Sequence, residues 1–401
     1  MVLLNNYKKF ETLTYDELLK KINGAEILNK LIDEQDPITF YIQLLTNITY
    51  NVDSIIKDND FVFDDKKDFT QKEQTNNLAI EVKKVFNSWE EFLSNFLNSN
   101  SKITIFTSGT TGKPKRVVHP VSKFIEMSRV GNKYEHNIWS FLYNPTHMAG
   151  LQVFFQALLN KNTLVYLFQC TRNEFIDACS IHGITHVSAT PTFYRLLSPF
   201  NFNLEKVEKC TLGGEKSDVK LIQKMELIFP NASIHNIYAS TEAGSLFISK
   251  GDTFRIIDKL KDKIKFQDNE IVIHKSLLGN FDTDEWFRTG DLVEFIDETK
   301  KEFRIVSRKS DTVNVGGNRV NLLEIENEIH QMNGIVNAVV YAIDNSVLGK
   351  IIVCEVVSTA TYTPKEFKEV LKQRLQLYKI PTKVKFVQEL QTTRTGKLKR
   401  S

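Results

Sequence analysis

One short run of hydroxyl, glycine and lysine residues has the composition of a loop that wraps a polyanion. It follows the apolar residues 103–106 and consists of Thr107, Ser108, Gly109, Thr110, Thr111, Gly112, Lys113, Pro114 and Lys115. Glycines let backbone N–H groups approach phosphate oxygens, hydroxyls donate further hydrogen bonds, and lysines supply positive charge. The spacing is not that of a Walker A loop, because the two glycines are too close together. The run predicts either a phosphate-binding loop or an ordinary surface turn.

Two further segments each bring a carboxylate to a position after a predicted strand. The first consists of Tyr238, Ala239, Ser240, Thr241 and Glu242. Its hydroxyl and carboxylate could hold a phosphate oxygen and a divalent cation, or could form a helix N-cap with an acidic first turn. In the second segment, residues 287–291, Asp291 follows a glycine turn. Asp291 could accept both hydroxyls of a ribose, or could be a simple turn aspartate.

The last hundred residues contain two charged segments that are ambiguous when each is taken alone. Residues 307–311 form a charged elbow that includes Arg308. The elbow is followed by Gly316, Gly317 and Arg319. This arrangement could allow close approach of another chain or ligand, or could be a solvated linker between domains. Residues 393–400 carry several cations, among them Lys397, and by themselves resemble a frayed basic tail.

Composition excludes several classes of function. The formal net charge of +3 is nearly balanced, which argues against a nucleic-acid or anionic-membrane partner. The four cysteines show no C-x-x-C pair, so neither a disulfide framework nor a structural metal site is predicted. The first residues turn polar too soon for a signal peptide, and no apolar run reaches the roughly 18–20 residues that cross a bilayer. A cytoplasmic location is therefore predicted.

The hydrophobic pattern predicts an α/β fold with two domains. From residue 103 onward, strands and helices alternate, with strands at 138–143, 163–168, 186–189 and 234–238 and helices at 150–159 and 173–181. This alternation is typical of parallel-type sheets layered with helices, whose ligands lie at the carboxyl ends of the strands. Closely spaced strands at 254–257, 270–273, 292–295 and 303–306 predict a small antiparallel sheet or barrel. Upstream, residues 78–86 have the spacing of an amphipathic helix.

A second pattern follows residue 311 and predicts a small α+β unit with its own core. It places helices at 322–331 and 364–377 and strands at 336–343, 351–357 and 383–387. The predicted organisation is therefore a large N-terminal domain over 1–307, a hinge at 308–311 and a small, mobile C-terminal domain over 312–401.

The order of these motifs resembles that of the adenylate-forming superfamily, which holds acyl-CoA synthetases, firefly luciferase and the adenylation domains of peptide synthetases. The resemblance covers the chain from Ile103 to its C-terminus. The region before the loop spans only about a hundred residues, which favours compact relatives such as o-succinylbenzoate–CoA ligase.

The resemblance implies a role for each motif in binding ATP. The loop residues Ser108, Thr110, Thr111 and Lys115 would embrace the β- and γ-phosphates. A segment beside the adenine would consist of Gly213, Gly214 and Glu215, with Tyr238 as its aromatic cover. Thr241 would hold the α-phosphate, Glu242 would bind Mg²⁺, and Asp291 and Arg308 would bind the ribose hydroxyls.

The resemblance also implies the catalytic residues. Lys397 would bridge the substrate carboxylate and the α-phosphate during adenylation. His147 would be a gate between the acyl pocket and the thiol tunnel, although a structural histidine is an open alternative. Rotation of the C-terminal domain would then bring Gly316 and Gly317 to the site, with Arg319 near the phosphates of coenzyme A.

The resulting hypothesis is an acid–thiol ligase that uses ATP, Mg²⁺ and coenzyme A to convert a small carboxylic acid into an acyl-CoA. Two alternatives remain open: loading of an acid onto the pantetheine of a carrier protein, and a non-catalytic nucleotide-binding protein. The chain departs from the family pattern at Arg116 and Ala239, where glycine is usual, and at Ser310 in the hinge. The sequence does not identify the acid.

Overall fold

The computed structural model describes residues 1–58, 63, 68–74, 78–108, 114–297, 302–315, 317–345, 349–391 and 398, without the side chains of Lys72, Gln74, Ser108 and Ser310. Five residues of the predicted phosphate loop (109–113), together with Gly316 and Lys397, lie outside the described residues.

The main sheet is largely parallel, as the alternating pattern predicts. Its strand order is β14-β13-β12-β11-β9-β10-β1-β2, and both edge strands, β14 and β2, are antiparallel to their neighbours. The strands are β1 (Val2–Asn6), β2 (Glu11–Thr14), β9 (Ile138–Phe141), β10 (Thr163–Tyr166), β11 (His186–Ala189), β12 (Lys209–Gly213), β13 (Ser233–Ser240) and β14 (Gly244–Ser249). Helices α6 (Met148–Leu159), α7 (Arg172–His182), α8 (Pro191–Leu196) and α9 (Val219–Ile228) connect them. The predicted strands and helices of this region are confirmed.

The strand that leads into the phosphate loop belongs to a second, smaller sheet. This sheet has the order β4-β5-β7-β8. Its strands are β4 (Leu31–Ile32), β5 (Ser54–Ile56), β7 (Lys102–Ser108) and β8 (Pro114–Pro120). The first three are parallel, whereas β7 and β8 are antiparallel, so the loop joins two neighbouring strands. The loop therefore follows the carboxyl end of a parallel strand, as predicted.

The described helices of the first 130 residues pack around these two sheets. They are α1 (Tyr15–Asn23), α2 (Pro37–Thr49), α3 (Gln71–Gln74), α4 (Trp89–Leu97) and α5 (Val121–Met127). Aromatic rings are prominent in the shared core, where Tyr41 and Phe154 stack with ring centroids 3.5 Å apart. Large buried rings of this kind contribute much of the apolar area that stabilises a core.

The predicted helix at residues 78–86 is wrong. The segment begins as strand β6 (Leu78–Ala79), which pairs with β3 (Ile27–Leu28), and it contains no helix before α4. The side chain of Asn23 binds both the N–H and the C=O of Phe86, at 3.0 and 2.9 Å. Val82 and Val85 are exposed, so the apolar spacing does not face a core. Long-range backbone pairing outweighs local helical propensity here.

A five-stranded antiparallel sheet follows, in the order β15-β19-β18-β17-β16. Its strands are β15 (Thr253–Arg255), β16 (Ile264–Gln267), β17 (Glu270–His274), β18 (Trp286–Asp297) and β19 (Glu302–Arg308). The antiparallel prediction is confirmed, but β18 is longer than the sequence suggested. Asp291 therefore lies within a strand rather than after a turn, and Gly290 has a φ of +78° at an irregularity in that strand.

The C-terminal part has a separate hydrophobic core, which includes Ile325, Val340 and Phe367. Its elements are β20 (Thr312–Val315), β21 (Asn318–Asn321), α10 (Leu322–His330), β22 (Ile335–Asn345), β23 (Gly349–Ser358), α11 (Pro364–Lys372) and β24 (Lys383–Phe386). β20 and β21 form a hairpin, and the remaining strands form a sheet in the order β22-β23-β24. The predicted small α+β unit is thus confirmed. Within the described part of the chain, none of the helices combines the length and apolarity needed to cross a membrane.

Candidate active site

A tight turn between β13 and β14 carries the predicted metal and α-phosphate residues. This acidic turn comprises Thr241, Glu242 and Ala243, and the N–H of Ala243 donates to Oγ of Ser240 at 3.1 Å. It joins two antiparallel strands, so the helix N-cap alternative is wrong. The strand pairing around it holds the turn at the end of β13, beside the strands of the main sheet.

Two residues distant in sequence bind the backbone of the acidic turn. The carbonyl oxygen of Thr241 accepts a hydrogen bond from Nε2 of His119 at 2.8 Å. The carbonyl oxygen of Glu242 accepts one from the N–H of Gly279 at 2.7 Å. These contacts fix the backbone without using the Glu242 carboxylate.

Lys115, on β8, lies close to the acidic turn. Its Nζ is 3.5 Å from the ring centroid of Phe281 and 5.0 Å from that of Phe287, so two aromatic faces stabilise the cation. Burial lowers the pKa of Lys115, and the negative charge of Glu242 opposes that shift. The structure therefore brings a lysine of the predicted phosphate loop within electrostatic reach of the predicted metal-binding carboxylate.

A second group, the Asp291 corner, consists of Tyr238, Asp291 and Arg308. The hydroxyl of Tyr238 donates to Oδ2 of Asp291 at 2.6 Å, and Nε of Arg308 donates to Oδ1 at 2.5 Å. Asp291 is 3% exposed. Burial raises the pKa of Tyr238, with a further contribution from the charge of Asp291. A carboxylate accepts about four hydrogen bonds. Asp291 already accepts one from Tyr238 and two from Arg308, so it retains capacity for a hydrogen bond from a ribose hydroxyl.

Arg308 is firmly ionised in this corner. Burial would lower its pKa, but the hydrogen bond and the charge of Asp291 outweigh burial and raise the pKa. A hydrogen bond between two charged groups is stronger than one between neutral groups. The pair joins β18 and β19 next to the predicted hinge.

Glu270 supports the Asp291 corner, and the sequence analysis missed it. Its carboxylate is almost fully buried, and Oε1 accepts the N–H of Gly290 at 2.7 Å. Oε2 accepts Nε of Arg288 at 2.7 Å and Nζ of Lys309, in the predicted hinge, at 2.8 Å. Burial opposes ionisation of Glu270, but Lys309, Gly290 and Arg288 outweigh it and lower its pKa. In the sequence, Glu270 is only the first residue of an apolar strand and gives no signal of this role.

The predicted adenine segment lies beside Tyr238. Gly213, at the end of β12, pairs with Ile237 on β13, which places residues 213–215 next to the strand that carries Tyr238. Gly214 has a φ of +83°, and Oε2 of Glu215 accepts the N–H of Thr192 at 3.0 Å. The chain thus turns sharply at the carboxyl end of the sheet, where ligands of such sheets bind.

His147 is the N-cap residue of α6, and its ring contacts a buried carboxylate. Nε2 of His147 lies against Oδ2 of Asp58, which is 3% exposed. Asp58 belongs to the short region before the phosphate loop, and no motif singled it out. The spacing from His147 to Gly150 has a steric cause, since a Cβ on Gly150 would lie 2.1 Å from the carbonyl oxygen of Asn144.

The remaining predicted residues lie outside the Asp291 corner and the acidic turn. Gly317 lies in the turn between β20 and β21 with a φ of +85°, and Arg319 is exposed on β21. Arg116 binds Oε1 of Glu73 on α3 at 2.7 Å, which gives a structural reason for an arginine where the family has glycine. Ala239 pairs with Ser245 on the edge strand β14.

A magnesium ion held mainly by a nucleotide fits this arrangement. No group of three or more His, Cys, Asp or Glu side chains among the described residues could hold a metal. Mg²⁺ in nucleotide sites is commonly bound through one or two carboxylates plus substrate phosphates. A single carboxylate such as Glu242, near the strand that leaves the predicted phosphate loop, is sufficient for that mode of binding.

Fold and site together define an adenylate-forming enzyme. The family model described as "AMP-binding enzyme" matches residues 49–265, and "AMP-binding enzyme C-terminal domain" matches residues 324–397. The chain belongs to the AMP-binding enzyme family. It is an AMP-forming acid–thiol ligase, a class of enzymes that uses ATP, Mg²⁺ and coenzyme A.

Similar proteins share this class but differ in their acids. The chain is 26% identical over 330 residues to 2-succinylbenzoate–CoA ligase of Staphylococcus epidermidis, covering 74% of this chain and 68% of that protein. It is 24% identical over 338 residues to the putative long-chain fatty acid–CoA ligase VraA of Staphylococcus haemolyticus, covering 79% and 73%.

Solved structures share the fold. The o-succinylbenzoate CoA synthetase of Bacillus subtilis, in complex with its acyl-adenylate intermediate, has a TM-score of 0.69 at 18% identity, covering 99% of this chain and 94% of that chain. ATP-bound MatB from Rhodopseudomonas palustris has a TM-score of 0.71 at 15% identity, with coverage of 99% and 94%.

Proposed function

We propose that the protein uses ATP to convert a carboxylic acid into an acyl-AMP and then transfers the acyl group to the thiol of coenzyme A. One observation carries this proposal: a single strand, β13, links the Asp291 corner to the acidic turn, and Lys115 lies beside that turn. Tyr238 on β13 binds Asp291, and the strand ends directly before Thr241. The carboxylate that we propose for ribose binding, Asp291, and the turn that carries the one proposed for metal binding, Glu242, are thus attached to the same strand.

In the first step, an oxygen of the substrate carboxylate attacks the α-phosphorus of ATP. The bond from the α-phosphorus to the bridging oxygen breaks, and pyrophosphate leaves with the electron pair. Two anions must approach each other, so preorganised positive charge is required, and each such group can be worth about 3–4 kcal/mol. Mg²⁺ on Glu242 would neutralise the phosphates, Thr241 would orient the α-phosphate, and Lys397 would lie between the carboxylate and the α-phosphate.

In the second step, the thiol sulfur attacks the acyl carbon, its proton is lost, and AMP leaves with the electron pair of the carbon–oxygen bond. Lys397 would act only in the first step and would withdraw before the acceptor thiol reaches the acyl carbon. We assign this exchange to rotation of residues 312–401 about the hinge at 308–311. The contact from Lys309 to Glu270 would anchor the hinge on the large domain.

The acid is best identified by a panel of carboxylic acids assayed for AMP release. 2-Succinylbenzoate is the first candidate and long-chain fatty acids are the second, since they are the acids in the names of the similar proteins. We expect AMP release that requires one class of acid and that increases when free coenzyme A is added. Turnover only with a pantetheine-bearing carrier protein would replace coenzyme A as the acceptor. No acid-dependent pyrophosphate exchange with any acid of the panel would contradict the proposed first step for these classes of acid.

The role of Lys397 can be separated from general loss of activity. In Lys397→Ala we expect acid-dependent ATP–pyrophosphate exchange to disappear, while thioester formation from synthetic acyl-AMP persists. Equal loss of both half-reactions would contradict the assigned role.

A further inference from the structure

We propose that His119 is a positioning residue that holds the acidic turn, and with it the Glu242 carboxylate, in fixed register with the strand that leaves the phosphate loop. His119 itself touches neither nucleotide nor metal in this proposal. The inference rests on the proposed ATP- and Mg²⁺-dependent function.

The geometry is a closed ring of hydrogen bonds that starts and ends on β8, one made by the His119 side chain and the others by the backbone. His119 lies on β8, is fully buried, and reaches the carbonyl oxygen of Thr241. On the same strand, Val118 exchanges two backbone hydrogen bonds with Asn280, at 3.0 and 2.7 Å. The residue before Asn280, Gly279, donates its N–H to the carbonyl oxygen of Glu242. The acidic turn is thus tied to β8 on both sides.

The donor in this ring is uncharged. Burial lowers the pKa of His119 to about 4, partly offset by its hydrogen bond to Thr241. The carbonyl acceptor assigns the proton to Nε2, and Nδ1 has no hydrogen-bond partner in the described part of the chain. A neutral donor fixes the turn without adding a second positive charge to that of Lys115 near the carboxylate that would bind Mg²⁺, where it would compete with the ion.

Gly279 is required by His119 rather than by its own backbone. A Cβ at position 279 would lie 2.5 Å from Cε1 and 2.8 Å from Nδ1 of the His119 ring. It would also lie 2.7 Å from Cγ1 of Val117 on the same strand. Any side chain at this position would therefore displace the imidazole from the Thr241 carbonyl. Lys123 supports the same loop, because its Nζ donates to the carbonyl oxygen of Leu277.

The test compares three variants and a control. His119→Gln keeps an N–H donor at about the reach of Nε2, whereas His119→Leu keeps the volume and removes the donor. Gly279→Ala retains His119 in the sequence, but the added methyl group displaces the imidazole ring from the Thr241 carbonyl. Gly251→Ala is the matched control, since a Cβ there would meet nothing within 4 Å.

The measurement is the dissociation constant for ATP by titration calorimetry, with Mg²⁺ and with EDTA, on the full chain. We expect the Mg²⁺-dependent gain in affinity to fall about tenfold in His119→Leu and Gly279→Ala, which corresponds to about 1.4 kcal/mol. His119→Gln and Gly251→Ala should stay within threefold of the unaltered protein. Binding in EDTA should be equal for all of them.

Two results would overturn the inference. One is a His119→Leu or Gly279→Ala protein that melts cooperatively and keeps the full Mg²⁺-dependent gain. The other is an equal loss of affinity with and without Mg²⁺, which would indicate general damage to the nucleotide site. If the unaltered protein itself showed no Mg²⁺-dependent ATP binding, the proposed function would fail as well, so the two failures are distinguishable. Should His119→Leu not fold, the comparison of Gly279→Ala with Gly251→Ala decides the question.

Discussion

The Asp291 corner and the acidic turn are connected by one strand, β13, yet the contacts that hold them differ in charge. In the Asp291 corner, a buried carboxylate is compensated by Arg308, and the neighbouring Glu270 is compensated by Arg288 and Lys309. In the acidic turn, the supporting donors are the neutral imidazole of His119 and a backbone N–H.

This difference follows from what each region would bind. Hydroxyl groups of a ribose are neutral, so the charge of Asp291 can be compensated by the protein while the carboxylate still accepts a hydrogen bond from a hydroxyl. A magnesium ion needs the charge of its carboxylate, so a protein cation paired directly with Glu242 would weaken metal binding. Charged support suits the first region and neutral support suits the second.

The largest expected effect is on the Asp291 corner. Asp291→Asn keeps the shape of the side chain. It removes the negative charge that binds Arg308, and it replaces one oxygen acceptor with an N–H donor. Losing hydrogen bonds to a charged group at about 1.5–3 kcal/mol each gives a fall of about 100-fold in kcat/KM for ATP. Initial rates of acid-dependent AMP release at varied ATP concentration measure kcat/KM for ATP. Asp252→Asn, which breaks the exposed pair with Arg304, is the control. An unchanged KM for ATP in Asp291→Asn would contradict the ribose assignment.

The buried, neutral imidazole of His119, which supports the acidic turn, predicts that the folded protein loses stability at low pH. The folded pKa of His119, about 4, lies below its unfolded value near 6.5, so the unfolded chain binds the proton first as pH falls. Stability is therefore complete above about pH 6.5 and is lost towards pH 4, by roughly 3 kcal/mol from this group. Urea unfolding across this range measures the slope, which should be shallower in His119→Gln. Identical slopes for both proteins would show that His119 is not the group responsible.

Glu270 tests the charged support of the Asp291 corner. In Glu270→Gln, the N–H of Gly290 keeps an acceptor, but Arg288 and Lys309 lose their anionic partner. We expect a fall of about 2 kcal/mol in the free energy of unfolding. Asp268→Asn is the matched control, because it removes a carboxylate from the exposed side of the same arginine. An effect in Glu270→Gln no larger than in this control would mean that the buried carboxylate adds little.

The smallest effect is expected for Tyr238→Phe, which removes one hydrogen bond to Asp291 and keeps the ring. A net loss of about 1 kcal/mol predicts a severalfold rise in the KM for ATP with little change in kcat. The same steady-state assay measures both constants. A fall in kcat with constant KM would instead assign Tyr238 a role in the chemical step.

The sequence was sufficient to predict many of the main strands and helices and to single out the candidate residues that lie in motifs. Alternation of apolar strands and helices predicted four of the eight strands of the main sheet, and the antiparallel and C-terminal units followed from the same kind of pattern. Asp291 and Arg308 come together as the predicted ribose pair requires, and Lys115 lies near Glu242. Their roles in binding remain predictions.

The supporting residues could not be predicted, because they act over long sequence distances. His119 and Thr241 are separated by 122 positions, and Asp58 meets His147 only through folding of the short N-terminal region. Glu270 has no motif of its own. The helix expected at 78–86 failed for the same reason, since contacts with Asn23 and with β3 decide the backbone there.

A crystal structure of the protein with Mg²⁺ and a non-hydrolysable ATP analogue tests the central claim most directly. The account predicts ribose hydroxyls on the Asp291 carboxylate, the α-phosphate beside the hydroxyl of Thr241, and the metal ion bound by Glu242. A triphosphate bound away from these three side chains would contradict the account.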